Sequence, residues 1–245
     1  MSTDRIAMRC PVCQGQGFAP GPSLFDDRYG NPRQFQLASC TQCGHQATAP
    51  RLSEADLPHL YSTYYPRKKI TASQVASEAQ KAIHGLATLK RWWTGTDNQG
   101  QYRVRPGQAM LDVGCGSGSS LLEAQALGAR AFGIEADANV RPIAEKLGLN
   151  IHFGNLQNEP FAGQSFDLIV MNQVIEHLPD PDLALRRLTQ RLTPKGRLLL
   201  VMPNTGSLWR LLSGRRWINW HVPYHRTIST NRASSALRMP VTWRW

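Results

Sequence analysis

The sequence predicts an α/β protein with a doubly wound, mostly parallel sheet and helices on both faces, preceded by a small cysteine-rich module. From residue 108 onward, short apolar runs alternate with helical patterns, as is typical of parallel β-α-β units. Before residue 50, two C-x-x-C pairs lie among glycines and polar residues. The 245 residues suffice for one ordinary domain and a smaller module.

The composition excludes two broad classes of protein. Hydrophobic residues make up 41% of the chain and charged residues 18%, which argues against a largely disordered chain. Apolar runs are far shorter than the roughly 20 residues of a membrane helix, so no membrane span is predicted. The first residues include Asp4 and lack the apolar core of a secretory signal, so we expect a cytoplasmic location.

Residues 1–50 are predicted to form a zinc ribbon. In a cytosolic chain, two C-x-x-C pairs favour a tetrahedral four-sulfur zinc site over disulfides or redox chemistry. The predicted ligands are Cys10, Cys13, Cys40 and Cys43. Gly44 suits the tight turn after the second pair, and His45 is expected to pack or be solvated. Four thiolates leave no open coordination position, so we expect a structural role for this zinc ion.

Residues 51–105 are predicted to be a helical linker that packs on the following core. Ser53 is a suitable helix N-cap. Residues 71–93 place apolar side chains on one helical stripe. These are Val75, Ala79, Ala82, Ile83, Leu86, Leu89 and Trp93. Residues 94–105 are polar and are expected to form a loop.

The core is predicted to span residues 106–204, with five strands and three helices between them. The strands are expected at residues 109–113, 131–134, 150–153, 166–171 and 196–202. Helices are expected at 119–127 and 139–147, followed by Gly128 and Gly148. A third helix should open at Asp180-Pro181 and carry Leu185, Leu188 and Leu192.

A glycine-rich loop joins the first core strand to the first core helix. It reads Leu111-Asp112-Val113-Gly114-Cys115-Gly116-Ser117-Gly118. Glycines at such a turn let a ligand approach bare backbone. Glu135 lies 21 residues beyond Gly114, at the end of the second strand, where a carboxylate can accept both ribose hydroxyls of a nucleoside. The loop and the acid together predict a nucleoside-containing cofactor.

The spacing of this loop resembles that of a known enzyme family. Dinucleotide-binding folds use G-x-G-x-x-G, whereas this loop has G-x-G-x-G preceded by Asp112. Over residues 106–204 the chain resembles the Rossmann-like class I S-adenosylmethionine-dependent methyltransferases. The resemblance implies S-adenosylmethionine as cofactor, with the loop beside its methionine part and Glu135 at its ribose. The implied cofactor-binding residues are Asp112, Gly114, Cys115, Gly116, Gly118, Glu135, Asn155, Leu156 and Asn172.

Two of these cofactor residues have open alternatives. Asp112 would either approach the amino group of the cofactor or only brace the glycine loop. Cys115 is interpreted as a small packing residue rather than a nucleophile. Asn155 and Leu156 follow strand three, where the family contacts adenine, and Asn172 begins the stretch after strand four.

The candidate catalytic residues are Glu176, His177, His221 and His225. The first two lie in a stretch that resembles the V-x-E-H segment of small-molecule methyltransferases. His177 would be a general base or a structural hydrogen-bonding group. Glu176 would orient the cofactor or cap a helix. His221 and His225 flank Pro223 in a segment that similar methyltransferases place on the acceptor side, or else they belong to a surface loop.

The front of the chain also resembles bacterial methyltransferases with an N-terminal zinc ribbon, including deoxysugar methyltransferases and proteins of polysaccharide gene clusters. This implies methyl transfer to a small molecule or a sugar or glycan precursor. Residues 205–245 hold seven arginines, no acidic residue and five of the seven tryptophans. These could stack RNA bases, stack a sugar or form core, so an RNA methyltransferase is the alternative enzyme. A non-catalytic cofactor-binding or scaffold protein is the alternative of another class.

Residues 205–245 are further expected to be a truncated or frame-shifted C-terminal segment. The family usually continues after strand five with a helix and two strands, the last of them antiparallel. Ser207 to Leu212 suit a short helix, but residues 226–245 lack alternation, and Met239-Pro240 disfavours a central strand. We therefore expect five parallel strands, a missing strand pair and an exposed edge at strand five that permits self-association.

Overall fold

The computed structural model describes residues 6–53, 56–64, 70–83, 89, 100–158, 160–228 and 242–243. The chain divides into two compact units. Unit 1 consists of residues 1–68, 175–183 and 202–240, and unit 2 consists of residues 69–174, 184–201 and 241–245. The cysteine-rich region therefore shares a unit with two segments that follow it by more than a hundred residues.

Unit 1 contains a five-stranded antiparallel sheet in the order β1-β2-β3-β4-β10. Its strands are Ile6–Arg9 (β1), Gln16–Phe25 (β2), Gln34–Cys40 (β3), Gln46–Ala49 (β4) and Thr227–Ile228 (β10). The last strand pairs with β4, where Thr227 lies opposite Ala47. The sequence analysis did not predict this strand, because two residues show no alternation; the strand pair that it expected to be missing concerns the edge of the other sheet, at strand five.

Two tryptophans of the arginine-rich segment belong to the hydrophobic core of unit 1. Trp217 and Trp220 are 4% and 6% exposed. They pack in one cluster with Val222 and with side chains of β2 and β3, namely Leu24, Phe35 and Leu37. Of the three roles that the sequence left open for these aromatic residues, core packing is therefore the one that Trp217 and Trp220 adopt.

The helices of unit 1 begin at side-chain caps. Helix α1 (Asp56–Thr63) follows Ser53, whose hydroxyl oxygen accepts a hydrogen bond from the Asp56 amide at 3.3 Å. The Asp56 carboxylate in turn accepts from the Ser53 amide at 3.0 Å, which completes a reciprocal capping box. The predicted cap at Ser53 is confirmed. A short helix at Leu208–Ser213 is capped by the Ser207 hydroxyl, which accepts a hydrogen bond from the Arg210 amide at 3.2 Å.

Unit 2 contains a parallel sheet of six strands in the order β11-β9-β8-β5-β6-β7. Its strands are Ala109–Val113 (β5), Arg130–Glu135 (β6), Ile151–Phe153 (β7), Phe166–Asn172 (β8), Leu192–Val201 (β9) and Thr242–Trp243 (β11). The five predicted core strands are confirmed. Strand β9 begins earlier than predicted, so Leu192 is a strand residue and its assignment to the preceding helix is wrong.

Helices of the α/β core follow the predicted order. They are Ala72–Ile83 (α2), Ser119–Ala126 (α3), Arg141–Lys146 (α4) and Pro181–Thr189 (α5). The helix of unit 1 at Leu208–Ser213, described above, is α6. Helix α2 packs against α3 and buries Ala72, Val75 and Ala79. Leu89, expected on the same apolar stripe, is 58% exposed instead. The predicted helix residues 84–88 and 90–93 lie outside the described residues.

Two further expectations are corrected. Residues 100–103 form a turn of 3₁₀-helix rather than a loop, while residues 94–99 lie outside the described part. The sixth strand, β11, pairs in parallel with β9, so that Thr242 lies opposite Leu199 and Trp243 opposite Leu200. The expectation of five strands with a fully bare edge is therefore wrong, since β11 covers two residues of β9.

Within the described ranges, no helix combines the length and the apolar character needed to cross a membrane.

Candidate cofactor site and buried metal-ligand clusters

The glycine loop lies between β5 and α3 in a backbone conformation that favours glycine. Gly114, Gly116 and Gly118 have φ angles of 75°, 56° and 85°. A Cβ atom at Gly114 would lie only 2.4 Å from Val174 Cγ2. A Cβ atom at Gly116 would meet nothing within 4 Å. The loop thus packs tightly at Gly114 and faces open space at Gly116.

The Glu135 carboxylate is fixed at the end of β6 by two backbone amides. Its oxygens accept hydrogen bonds from Gly116 N at 2.7 Å and from Asp137 N at 2.8 Å. The structure therefore brings together the two features from which the sequence predicted a nucleoside site. The carboxylate belongs to strand β6 and the amide to the loop after β5, its neighbour in the sheet.

Asp112 is buried at the end of β5 and accepts a hydrogen bond from the Ser120 hydroxyl in the first turn of α3. Burial raises the pKa of the Asp112 carboxyl to about 7; the Ser120 hydrogen bond opposes this rise, whereas the charges of Glu135 and Glu123 add to it. This geometry matches a residue that braces the loop. The sequence prediction missed Ser120, although its position just after the loop is the signal that would have identified it.

The Cys115 side chain packs in the hydrophobic cluster beneath the loop, with Met110, Leu121 and Leu168 among its members. Burial raises the pKa of this thiol above its ordinary value. The position agrees with the interpretation of Cys115 as a packing residue.

The remaining predicted cofactor residues lie at the carboxyl ends of β7 and β8. Asn155 is exposed and precedes a 3₁₀ turn at Leu156–Asn158, and Asn172 is the last residue of β8. Ligands of open parallel sheets bind at this edge.

A cavity of about 290 Å³ in unit 2 lies elsewhere. Its walls come from the sheet residues Leu111 and Ile134, the end of α5 and residues 160–163. Of the predicted cofactor residues, only Leu156 lines it. The other eight predicted cofactor residues are not among the residues that line this cavity.

The four predicted zinc ligands converge in unit 1. Sγ of Cys10 lies 3.7 Å from that of Cys43, and Sγ of Cys13 lies 3.6 Å from that of Cys40. Tetrahedral zinc with bonds of about 2.3 Å requires sulfur atoms about 3.8 Å apart, so the spacing fits the ion. All four cysteines are free thiols rather than disulfides. Gly44 has a φ angle of 74°, as the turn after the second pair requires.

His45, beside the second cysteine pair, is 4% exposed, and neither ring nitrogen has a hydrogen-bond partner. Burial lowers the pKa of His45 to about 4, and the charge of Arg51 adds to this effect. Of the two alternatives that the sequence left open for His45, packing is therefore the one that the structure shows.

The four candidate catalytic residues also come together in unit 1. Glu176, His177 and His225 each place one ligand atom within 4.8 Å of the others. His221 joins them, because its Nδ1 lies 3.3 Å from His225 Nε2. Glu176, His221 and His225 are buried, which excludes the alternative that the two later histidines lie on a surface loop.

Hydrogen bonds to the backbone orient two of these rings. His177 Nδ1 donates to the Tyr224 carbonyl at 2.9 Å, and His225 Nδ1 donates to the Asn219 carbonyl at 2.9 Å. Burial lowers the pKa of His177 and of His225 below the ordinary value for histidine. Burial raises the pKa of the Glu176 carboxyl to about 8. In each of these three residues, burial therefore favours the uncharged form.

Comparison of this sequence with known protein families shows a match over most of the chain. The methyltransferase domain family matches residues 74–238. Ubiquinone biosynthesis O-methyltransferase of Cereibacter sphaeroides is 30% identical over 125 residues, which cover 48% of this chain and 51% of that protein. An uncharacterised 37.1 kDa protein from a transposon of Streptomyces fradiae is 31% identical over 113 residues, which cover 43% of this chain and 33% of that protein.

Among solved structures, the plantazolicin methyltransferase in complex with SAH aligns with a TM-score of 0.47 at 18% identity, over 67% of each chain. The chain spans about half the length of the ubiquinone biosynthesis relative. The family match is longer and extends over more than half of the chain. The four cysteines that precede the matched residues form a group that could hold a metal ion. The protein therefore belongs to the methyltransferase domain family, and its resemblance to the class I S-adenosylmethionine-dependent methyltransferases is confirmed.

Proposed function

We propose that this protein transfers a methyl group from S-adenosylmethionine to a small molecule or to a sugar or glycan precursor. The observation that carries the proposal is the hydrogen bond between the Gly116 amide and the Glu135 carboxylate, at 2.7 Å. It joins a loop with open space at Gly116 to an acid at the end of the next strand. A nucleoside cofactor suits that combination.

When bound, S-adenosylmethionine supplies a methyl group that its sulfonium already activates. Glu135 is proposed to accept hydrogen bonds from the ribose hydroxyls, and Asp112 to hold the glycine loop in place. Asn155 and Leu156 are proposed to contact adenine, and Asn172 to line the same edge. Because the donor is activated, the chief remaining task of the protein is alignment of the acceptor.

The acceptor is proposed to be a small molecule with a hydroxyl group. The matched relatives from Cereibacter sphaeroides are named O-methyltransferases of ubiquinone biosynthesis, which supports an oxygen acceptor. As such an oxygen bonds to the methyl carbon and the carbon–sulfur bond breaks, the hydroxyl proton needs a receiving group. The candidates are Glu176, His177, His221 and His225.

An RNA acceptor is less well supported. Trp217 and Trp220 are packed in the core of unit 1, so they offer no open face on which a base could stack. Trp209, which is 73% exposed, is a described tryptophan of residues 205–245 that keeps an open face. The seven arginines of residues 205–245 would still attract a polyanion. The alternative of another class is a non-catalytic protein that binds the cofactor or acts as a scaffold.

We also propose that Cys10, Cys13, Cys40 and Cys43 hold a structural zinc ion. The observed sulfur spacing of 3.6–3.7 Å supports this, as does the absence of a disulfide among these four residues.

The proposed activity is tested with the full chain and methyl-labelled S-adenosylmethionine. Label should pass to a phenolic or sugar-nucleotide acceptor, and the Gly116→Val variant should lose this transfer. Label passing to RNA, with salt-sensitive binding, would favour the RNA alternative. Cofactor binding without transfer to any acceptor would favour the scaffold alternative.

A further inference from the structure

We infer that Glu176, His177 and His225 bind one divalent transition-metal ion, at a site separate from the four cysteines. Each side chain offers one ligand atom, and the three atoms lie within 4.8 Å of one another. All three residues belong to unit 1. The inference does not depend on methyl transfer, because metal content is measured on the protein itself.

The hydrogen bonds of the two histidines leave Nε2 as the nitrogen that could bind a metal ion. Since a carbonyl oxygen can only accept, each Nδ1 that bonds to a backbone carbonyl must carry the ring hydrogen. The lone pair of each neutral ring then lies on Nε2. Metal-binding histidines commonly show this arrangement, in which a second hydrogen bond fixes both the tautomer and the direction of the ring.

The carboxylate lacks the partners that its burial demands. Glu176 is 2% exposed, and neither of its oxygens has a hydrogen-bond partner in another residue. Its Oε1 lies 3.9 Å from His225 Nε2, which also carries a lone pair. Two electron-rich atoms that face each other inside a protein require a proton or a cation between them. Either a proton on the carboxyl group or a metal ion meets this requirement, and only the metal ion would also engage His177.

The donor set selects the kind of ion. Two imidazoles with one carboxylate suit zinc, iron or cobalt, whereas magnesium and calcium prefer oxygen ligands. Ligands about 2.0–2.2 Å from a tetrahedral ion lie about 3.3–3.6 Å apart, so the 3.9 Å between Glu176 Oε1 and His225 Nε2 must shorten by about 0.3–0.6 Å. The ion would also replace the hydrogen bond that His225 Nε2 now receives from His221 Nδ1, at 3.3 Å.

The test is cobalt reconstitution of the full, chelator-treated chain, followed by elemental analysis and absorption spectroscopy. We expect two cobalt ions per chain. One should give the strong sulfur-to-cobalt charge transfer of the cysteine site, and the other only weak bands. Glu176→Gln and His225→Gln should each lose one ion and retain the charge-transfer band, which shows that unit 1 is folded. The exposed His59→Gln, in α1, is the matched control and should keep both ions.

The inference fails if the wild-type chain binds a single cobalt ion that disappears in Cys40→Ser/Cys43→Ser. It also fails if Glu176→Gln and His225→Gln both retain two ions. If those variants do not fold, X-ray absorption of the wild-type chain with two cobalt ions decides. Nitrogen and oxygen neighbours on half of the cobalt support the site, and an all-sulfur shell overturns it. A failure of methyl transfer changes none of these readouts.

Discussion

Gly116 donates its backbone amide to the Glu135 carboxylate at 2.7 Å. This bond connects the loop after β5 with the end of β6 and leaves the carboxylate attached to the loop. Removal of the carboxylate should therefore affect both loop position and cofactor affinity.

Glu135→Ala is expected to weaken S-adenosylmethionine binding by about 10- to 100-fold. The lost interactions are charge-assisted hydrogen bonds to the ribose, worth about 1.5–3 kcal/mol. Titration calorimetry measures the effect. Glu145→Ala, an exposed acid on α4, is the control and should bind as the wild type does. Equal affinity of Glu135→Ala and wild type would exclude the ribose role.

Gly116→Ala should abolish or strongly weaken cofactor binding at a small cost in stability. The left-handed φ of 56° costs an alanine about 1–2 kcal/mol, and its Cβ meets no atom of the protein. The added methyl group instead occupies space that we assign to the cofactor. Gly148→Ala is the matched control, since Gly148 has a φ of 63° and equally open surroundings after α4. Similar affinity in both variants would place the cofactor elsewhere.

Cys40→Ser with Cys43→Ser should lose one zinc ion and unfold the ribbon. Metal binding supplies much of the folding free energy of such small modules. Elemental analysis and circular dichroism measure both effects. Cys115→Ser alters the fifth cysteine, which lies in unit 2, and should leave the zinc content unchanged. Zinc retained by the double variant would show that these cysteines are not its ligands.

Asp112 makes stability depend on pH in a direction opposite to that of most carboxylates. Its pKa is raised to about 7, so the folded protein binds a proton that the unfolded chain has released above about pH 4. The free energy of unfolding should therefore fall as pH rises from about 4 to about 7. Asp112→Asn should remove this fall and be more stable than wild type above pH 7, by about 2–4 kcal/mol. Urea unfolding at several pH values measures the difference; parallel pH profiles would refute the raised pKa.

Trp217→Ala should destabilise unit 1 by about 3–5 kcal/mol, because it leaves a cavity beside Phe35 and Leu37. Trp209→Ala, at a side chain that is 73% exposed, should change stability by less than about 0.5 kcal/mol. Thermal unfolding compares the two variants. Comparable stability of both would mean that Trp217 is not a core residue.

The sequence predicted the parallel core well, because buried parallel strands are continuous apolar runs bounded by turn residues. Strands such as Phe166–Asn172 therefore stand out without any tertiary information. The two-residue strands β10 and β11 could not be predicted, since two residues show no alternation. Their pairing depends on β4 and β9 and is settled only in the folded chain.

The two clusters of metal-ligand residues differ in the same way. The four cysteines could be predicted as one metal site, because their spacing in the sequence forms two C-x-x-C pairs. The approach of His225 to Glu176 follows from a contact between segments 49 positions apart, which the sequence pattern does not contain. The packing of Trp217 and Trp220 against side chains of β2 and β3 also joins segments that are far apart in the sequence.

The pairing of β10 with β4 also governs when the ribbon sheet can be finished during synthesis. The Thr48 hydroxyl donates to the His225 carbonyl across a separation of 177 residues. During translation, strands β1 to β4 leave the ribosome first. Strand β10, which pairs with β4, is synthesised only after most of the chain. We expect the cysteine module to spend that interval with an open β4 edge, where early metal capture would keep it folded until translation delivers β10.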